Sequence, residues 1–318
     1  MKKVFKILGI IVGVIVVLII IFVIYSAIQN YRTLNVPRFK DNYYEEFTTS
    51  ALLESKYSKK GKYEVSNKEY QSENKSIKNI RIWYPTELND ASKEYPLIMV
   101  VNGSQTPAKV YIPFFERLAS WGFIVVGNDD PQAGNGDTAS ETLDFVLKES
   151  KIKNKVDTKN MGIIGYSQGG AGAITAVTKH ENGKMYKTMF TGSAAYPALA
   201  KMMGWEYDAK DINIPYFITG ATGTSDDLGV EDIENNFAGV APLSSLKETY
   251  NKMSNDVFKI RARVKDSEHE DMLVRTDGYM TAWMLYHLQN DEEAGKVFIG
   301  DNAEILSNAN WQDIEKNN

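Results

Sequence analysis

Short apolar segments alternate with segments of helical spacing along most of the chain. Residues 96–101 and 123–126 are continuous apolar runs, as expected of strands that are buried on both faces of a sheet. Residues 80–84 alternate between apolar and polar positions, which indicates a further strand. Residues 111–121 and 139–147 carry apolar side chains at helical spacing. The pattern therefore predicts strands and helices in alternation.

The alternation continues through the second half of the chain. Four further segments are predicted as strands and one as a helix. The strands are residues 161–165, 188–191, 215–219 and 257–264, and the helix is residues 278–288. Strands that alternate with helices are typical of a mostly parallel central sheet with helices on both faces. The fold class expected from this pattern is α/β.

The longest apolar run lies at the amino terminus. Residues 7–25 contain no charged side chain, and a helix of this length would cover about 28 Å, close to the ~30 Å hydrocarbon core of a membrane. A secretory signal peptide has a shorter apolar region and ends in small residues. Cleavage after Ala27 would place Tyr25 at the third position before the cut, which fits poorly. We therefore expect residues 1–29 to be an uncleaved signal anchor, with a cleaved signal peptide and secretion as the alternative.

The charges around this run predict its orientation. Lys2, Lys3 and Lys6 precede it, which favours a cytoplasmic amino terminus and an extracellular position for the rest of the chain. Residues 30–60 are polar and rich in tyrosine, which indicates a stalk or a preceding helix. Residues 61–318 are then the folded domain.

Composition narrows the classes of function. The chain has 36 Lys and Arg residues against 41 Asp and Glu residues, so its net charge is −5. An acidic chain argues against nucleic acid as a partner and against docking on anionic lipid. The chain has no cysteine, so neither a disulfide nor a lipid-modified cysteine can form. A domain of roughly 250 residues can supply a core large enough to fold without disulfides.

The motif Gly-Tyr-Ser-Gln-Gly at residues 165–169 follows a predicted strand and precedes a helix-like segment of small residues. Such a strand–turn–helix is so tight that Gly165 and Gly169 must lack side chains. It lifts the hydroxyl of Ser167 clear of the backbone and directs the N–H of Gln168 toward a developing oxyanion. We predict Ser167 as the nucleophile of a serine hydrolase. The alternative is a glycine-rich turn with an inert serine.

A serine nucleophile needs a base that takes its proton, and the chain has three histidines. His180 lies at the end of the helix that leaves the motif, roughly 20 Å from Ser167 at helical rise. His287 falls within the apolar stripe of the helix predicted at residues 278–288. His269 lies in a polar loop directly after the last predicted strand, and a base in this position comes last in chain order. We predict His269 as the base.

The base in turn needs an acid that orients it. Asp226 and Asp227 follow the strand predicted before them, and only one can face the imidazole because consecutive side chains diverge. We favour Asp226 over Asp227, and Asp211 and Glu231 are less well placed. The chain order of the predicted nucleophile, acid and base is that of an α/β-hydrolase.

An oxyanion needs a second N–H group besides that of Gln168. The strand predicted at residues 96–101 runs into Asn102-Gly103-Ser104-Gln105. The N–H of Ser104 is the predicted second donor because Gly103 permits a sharp turn before it. The side chains of Asn102 and Gln105 are the alternatives, and the segment could also be a simple strand-to-helix turn.

Three segments together resemble a known family. Residues 165–173, Gly-Tyr-Ser-Gln-Gly-Gly-Ala-Gly-Ala, resemble the nucleophile motif of the dienelactone hydrolase-like branch of the α/β-hydrolase superfamily. That branch includes polyester-hydrolase, cutinase-like and chlorophyllase-like enzymes. Residues 102–104 take the place of its oxyanion turn, and residues 268–272 take the place of its base loop. The resemblance extends over about residues 60–290.

The resemblance implies an α/β-hydrolase fold and hydrolysis of carboxylic esters through an acyl-enzyme, without a metal or a cofactor. The implied substrate is a small-molecule, lipid or polyester acyl ester.

Two residues depart from the pattern of the branch: Tyr166 replaces its histidine before the nucleophile, and Glu270 replaces its glycine after the base. The extra carboxylate beside His269 is expected to raise the pKa of that histidine. An amidase or peptidase, or a non-catalytic surface binding protein, remains as an alternative on the same scaffold.

Overall fold

The computed structural model describes residues 2–89 and 93–318, and its centre is one mixed sheet. In chain order the strands are β1 (Val65–Gln71), β2 (Asn79–Pro85), β3 (Tyr95–Val101), β4 (Ile124–Asn128), β5 (Val156–Tyr166), β6 (Tyr186–Gly192), β7 (Tyr216–Ala221), β8 (Lys259–Val264) and β9 (Trp311–Lys316). Across the sheet their order is β1-β2-β4-β3-β5-β6-β7-β8-β9.

The strands from β4 to β8 pair in parallel, whereas β1, β2 and β9 are joined by antiparallel pairing. This sheet, with helices on both faces, fits an α/β-hydrolase, as the sequence predicts. The sequence pattern did not predict β9. Of its side chains only that of Trp311 is buried, and the others are polar or half-exposed, so no apolar run marks the strand.

Helices connect the strands and cover the sheet. They are α1 (Lys2–Asn35), α2 (Tyr43–Glu46), α3 (Leu52–Tyr57), α4 (Ile112–Ala119), α5 (Asp137–Lys148), α6 (Gln168–Lys179), α7 (Pro197–Met202), α8 (Leu243–Lys252), α9 (Met272–Arg275), α10 (Asp277–Gln289), α11 (Glu292–Gly295) and α12 (Glu304–Ser307). The three helices predicted from spacing correspond to α4, α5 and α10.

The core consists of two layers, one on each face of the sheet. Alternate residues of β3 show the division: Leu97 and Met99 belong to the layer that contains apolar side chains of α5, α6 and α8. Ile98 and Val100 belong to the layer that contains apolar side chains of α4 and α10. A strand covered on both faces has no polar side, which explains why residues 96–101 are continuously apolar.

Helix α1 extends away from this core. Its residues Ile10–Asn35 are long and apolar enough to cross a membrane, with a mean hydropathy of 3.2, and none of the side chains in the most apolar window is buried by the protein. The apolar side chains from Ile10 to Ile28 are exposed all around the helix. Length and composition therefore make α1 a candidate membrane span.

The segment that follows α1 packs on the domain through α2 and α3. Tyr43, Glu54 and Tyr57 are buried, although the sequence indicated a stalk or a preceding helix for residues 30–60. Glu54 accepts hydrogen bonds from the indole nitrogen of Trp311 at 2.6 Å and from the amide of Asn308 at 2.9 Å. The packed unit therefore begins before residue 61. No apolar run marks this segment, because its buried side chains are isolated aromatic residues and a carboxylate.

A buried ion pair between Arg117 of α4 and Asp277 of α10 connects this segment with the helices of one face. Arg117 donates a hydrogen bond to the carbonyl oxygen of Tyr57 at 2.9 Å, and the hydroxyl of Tyr43 donates one to Asp277 at 2.6 Å. Burial raises the pKa of Asp277 to about 6, although Arg117 and Tyr43 oppose the rise. If either member of such a pair is lost, a buried charge remains without its partner.

We predict that Arg117→Met lowers the free energy of unfolding by about 3 kcal/mol, because Asp277 would stay buried without its cation. The measurement is urea denaturation of the full chain in a non-ionic detergent, followed by tryptophan fluorescence.

Lys148→Met is the matched control, since Lys148 forms an exposed ion pair with Asp144 at 2.6 Å. Loss of an exposed pair is expected to change the free energy of unfolding by about 0.5 kcal/mol or less. Equal destabilisation by the two variants would contradict a dominant role for the buried pair.

Candidate active site

A very tight strand–turn–helix is formed by the end of β5, the turn at Ser167 and the start of α6. A Cβ atom at Gly165 would lie 2.1 Å from the carbonyl oxygen of Gly169. A Cβ atom at Gly169 would lie 2.2 Å from the carbonyl oxygen of Val101, at the end of β3. No side chain fits at either position, so both glycines are required by the close approach of the backbones.

Ser167 has a backbone φ of +56°, which is unfavourable for a residue with a side chain. Three hydrogen bonds hold it there: its N–H donates to the oxygen of Gly192 at 3.0 Å, and its oxygen accepts from Gly170 at 2.9 Å and from Ala195 at 3.2 Å. The surrounding backbone thus stabilises a conformation that is strained by itself. The side chain is half-buried and lines a cavity.

His269 lines the same cavity as Ser167. It lies in a short 3-10 turn, His269–Asp271, that follows β8 and precedes α9. Its Nδ1 atom lies 2.6 Å from Oδ1 of Asp226. Burial lowers the pKa of His269, but the hydrogen bond and the charge of Asp226, together with the charge of Glu270, outweigh it and raise this pKa above its ordinary value.

Asp226 is completely buried, in the loop after β7. Its second oxygen accepts hydrogen bonds from the N–H of Ala221 at 2.7 Å and from the hydroxyl of Ser193. These two donors fix the carboxylate so that its other oxygen faces His269. A lone serine after a strand carries no pattern of its own, so nothing in the sequence marks Ser193 as part of the site.

The neighbouring carboxylate points elsewhere. Asp227 forms an ion pair with Arg263 at 2.7 Å and accepts a hydrogen bond from the N–H of Leu243 at 3.3 Å. Consecutive side chains diverge here, as expected, and of the two aspartates it is Asp226 that contacts the imidazole.

The other two histidines lie elsewhere in the fold. His180 follows the end of α6, with Nε2 at 3.2 Å from Asp137. His287 is half-buried in α10, where its ring centre lies 4.3 Å from that of Trp283. Burial lowers the pKa of His287 to about 3. The structure therefore brings together Ser167, His269 and Asp226.

The loop after β3 lies beside Ser167. A Cβ atom at Gly103 would be 3.9 Å from the Cβ atom of Ser167, and Gly103 and Ser104 both line the cavity. The amide of Asn102 is directed away from the cavity and donates hydrogen bonds to the carbonyl oxygens of Asn128 at 2.6 Å and Asp130 at 3.0 Å. Its side chain therefore holds the loop in place.

Gln168 begins α6, so its N–H is among those that a helix leaves without an intrahelical partner. Its buried side chain contacts Ser104 Oγ at 2.9 Å. With the amide oxygen facing the N–H groups of Ala133 (2.7 Å) and Gly134 (3.3 Å), the amide nitrogen donates to Ser104. Gln168 therefore connects the start of α6 with the loop after β3.

The side chain of Gln105 was the other alternative for the second oxyanion donor. Gln105 is exposed, has a backbone φ of +55°, and donates its N–H to the carbonyl oxygen of Pro131.

The cavity has a volume of about 390 Å³. Besides the residues already described, its lining includes Glu270 and Leu273, together with Arg38, Phe39 and Tyr111. No motif in the sequence marks Arg38, Phe39 or Tyr111 as part of the site. Among residues 2–89 and 93–318, no group of three or more histidines and carboxylates is arranged to hold a metal ion.

The sheet, the strained serine and the histidine–carboxylate pair are the features of an α/β-hydrolase. Sequence comparison narrows this class. The profile of the PETase family, described as PET hydrolase-like, matches residues 46–317. The chain therefore belongs to the PET hydrolase-like family.

Individual relatives are distant. The chain is 25% identical over 223 residues to cutinase est1 of Thermobifida alba, and 24% identical over 181 residues to a bis(hydroxyethyl) terephthalate hydrolase of Streptomyces coelicolor. The first match covers 66% of this chain and 65% of the cutinase; the second covers 55% of this chain and 53% of the hydrolase. A shorter match, 35% identical over 69 residues, is to lipase 1 of a Moraxella species and covers 20% of this chain and 21% of the lipase.

We predict that the His269 imidazole titrates above the ordinary pKa of histidine, and that Asp226→Asn lowers its pKa below that value. The reason is that the variant removes the hydrogen bond and charge that raise the pKa, while the burial that lowers it persists. Nuclear magnetic resonance titration of ¹³C-labelled histidine, with each signal assigned by a His→Gln variant, measures both values.

Asp227→Asn serves as the control, since Asp227 is adjacent in sequence but paired with Arg263. It is expected to leave the pKa of His269 unchanged. A shift of equal size in the two variants would contradict the specific pairing of His269 with Asp226.

Proposed function

We propose that the protein is a serine hydrolase of carboxylic esters, with Ser167 as the nucleophile, His269 as the general base and Asp226 as the acid that orients the base. The observation that carries the proposal is that Ser167 and His269 line one cavity while His269 Nδ1 lies 2.6 Å from a buried carboxylate. In such an arrangement the histidine can take the proton of the serine, and the carboxylate can orient the histidine, as in a catalytic triad.

In the first half of the reaction, the Ser167 oxygen attacks the ester carbonyl as its proton passes to Nε2 of His269. Asp226 accepts the hydrogen bond from Nδ1–H and stabilises the imidazolium that forms. The tetrahedral intermediate expels the alcohol, which takes the proton from His269, and leaves an acyl-enzyme on Ser167. Water then attacks the acyl-enzyme with His269 as base, which releases the acid and restores the serine.

The N–H groups of Gln168 and Ser104 are the proposed donors to the oxyanion. The first lies at the start of α6, where the positive end of the helix dipole favours a negative charge. The second belongs to the loop that lies beside Ser167. The hydrogen bond between the two side chains supports this role, because it fixes the distance between the donors before the substrate arrives.

The proposed substrate class follows from the family and from the names of the relatives, which are cutinases and a hydrolase of a terephthalate ester. An acyl ester of a small molecule, a lipid or a polyester is therefore proposed for this chain. The cavity, with Tyr166, Tyr111 and Leu273 among its lining residues, offers apolar surface for an acyl group.

We predict that Ser167→Ala lowers kcat for a 4-nitrophenyl ester by roughly 10³-fold or more, because the attacking oxygen is lost. Steady-state kinetics of the full chain in a non-ionic detergent measure this change, and circular dichroism checks the fold.

His180→Ala is the matched control, since His180 is half-exposed and paired with Asp137 outside the cavity. His269→Ala is expected to lower kcat severely and His180→Ala to have little effect. Full activity of Ser167→Ala, or the reverse order of the two histidine variants, would contradict the proposed roles.

We further propose that α1 stays attached as a signal anchor and holds residues from about 30 onward outside the cell. The exposed apolar surface of α1 and the lysines before it support this proposal.

Cell fractionation with intact-mass measurement is expected to find the uncleaved chain in the membrane fraction, where added protease reaches the folded domain in wall-stripped cells. A chain released to the medium that begins near Ile28 would show a cleaved signal peptide instead. Protection from protease would place the domain on the cytoplasmic side.

A further inference from the structure

The residues directly after α1 form part of the candidate catalytic cavity. Arg38 and Phe39 line the cavity together with Ser167 and His269. They come three and four residues after Asn35, the last residue of α1. A segment that the sequence indicates only as a stalk or a preceding helix therefore contributes to the surface that a substrate contacts.

The position of this segment is fixed by contacts on both sides of Arg38. The N–H of Arg38 donates a hydrogen bond to the carbonyl oxygen of Val110 at 2.8 Å. Before it, Lys109 Nζ donates to the side chain of Asn35 at 2.8 Å. After it, the ring of Phe39 packs against that of Tyr43 at 4.7 Å between ring centres. Tyr43 is in turn bonded to the buried Asp277.

Tyr111 connects Arg38 with the reacting serine. A Cβ atom at Gly103 would lie 3.5 Å from the Tyr111 hydroxyl and 3.9 Å from the Cβ atom of Ser167, so the three groups adjoin one another. Burial raises the pKa of Tyr111, and the hydrogen bond with Thr106 and, to a smaller extent, the positive charge of Arg38 oppose this rise. Arg38 therefore lies on the side of the cavity where Tyr111 borders the reaction centre.

The charge of Arg38 is available to a ligand. Its side chain is exposed and, among residues 2–89 and 93–318, forms no ion pair. The neighbouring Lys40, by contrast, is paired with Glu46 at 2.7 Å. The carboxylate of Glu270 lies on the wall near His269. Among the described residues, those that line the cavity thus include one cation, Arg38, that is not paired and one anion, Glu270.

We propose that Arg38 is a specificity-determining residue that selects esters carrying a carboxylate or phosphate near the scissile carbonyl. The inference rests on the proposed ester hydrolysis and names its substrate class. A guanidinium binds two oxygens of a carboxylate or phosphate with paired, charge-assisted hydrogen bonds. An uncharged side chain in the same position cannot form such a pair.

The test compares two esters that differ in one charge, 4-nitrophenyl hydrogen adipate and 4-nitrophenyl methyl adipate, with the full chain in dodecyl maltoside. The readout is the ratio of kcat/KM for the anionic ester to kcat/KM for the neutral one. Arg38→Gln is expected to lower this ratio about five-fold, mainly through a higher KM for the anionic ester. Arg38→Lys is expected to retain most of the ratio, and added salt to reduce it in the unaltered protein.

Arg32→Gln is the matched control, because it removes the same charge from α1 at an exposed position outside the cavity. It is expected to leave the ratio unchanged. A second pair of substrates, phosphatidic acid and diacylglycerol in mixed micelles, differs only in the phosphate and distinguishes a lipid phosphate from a soluble carboxylate. A lower ratio in Arg38→Gln for either pair supports the proposal and identifies the source of the anion.

Two results would overturn the inference. An unchanged ratio in Arg38→Gln for both pairs, or an equal fall in Arg32→Gln, would show that Arg38 does not select the anion. If the unaltered protein hydrolysed the esters but Arg38→Gln left the ratio unchanged, ester hydrolysis would stand and the selection would fail. If the unaltered protein hydrolysed none of the four esters, the proposed function would fail and the inference with it.

Discussion

The close approach of three backbones at the start of α6 is the constraint on which the candidate site depends. The carbonyl oxygens of Val101 and Gly169 lie where side chains at Gly169 and Gly165 would have to be. Because of this contact, the end of β3, the end of β5 and the first turn of α6 meet at one point of the sheet. Ser167 is placed there in a strained conformation, and the loop with Gly103 and Ser104 lies beside it.

The parallel order of the strands brings Asp226 and His269 to the same edge of the sheet as Ser167. The carboxyl ends of parallel strands meet at one edge of a sheet, so the loops after β7 and β8 reach the serine although they are far apart in sequence. Hydrogen bonds from Ala221 and Ser193 fix Asp226, which contacts His269. On the other side, the buried pair of Arg117 and Asp277 holds the segment after α1 against the domain. Distant parts of the chain thus enclose one cavity.

The sequence predicted the features that leave a local pattern. The parallel strands are continuous apolar runs, and the motif at residues 165–169 is marked by glycines that the backbone contacts require. The pattern did not show β9 or the packing of α2 and α3, because their buried groups are isolated tryptophan, tyrosine and glutamate side chains. Only tertiary contacts bring Ser193, Arg38 and Tyr111 to the site. Their positions in the sequence form no pattern from which this could be predicted.

Trapping of the acyl-enzyme tests the central claim most directly. The full chain is mixed with 4-nitrophenyl acetate, quenched in acid within the first turnovers, digested with a protease and analysed by mass spectrometry. We expect a burst of 4-nitrophenol and one acetyl group on the peptide that contains Ser167, with the group persisting longer when His269 is replaced by alanine. Release of 4-nitrophenol without acetylation of that peptide, or acetylation at another residue, would contradict it.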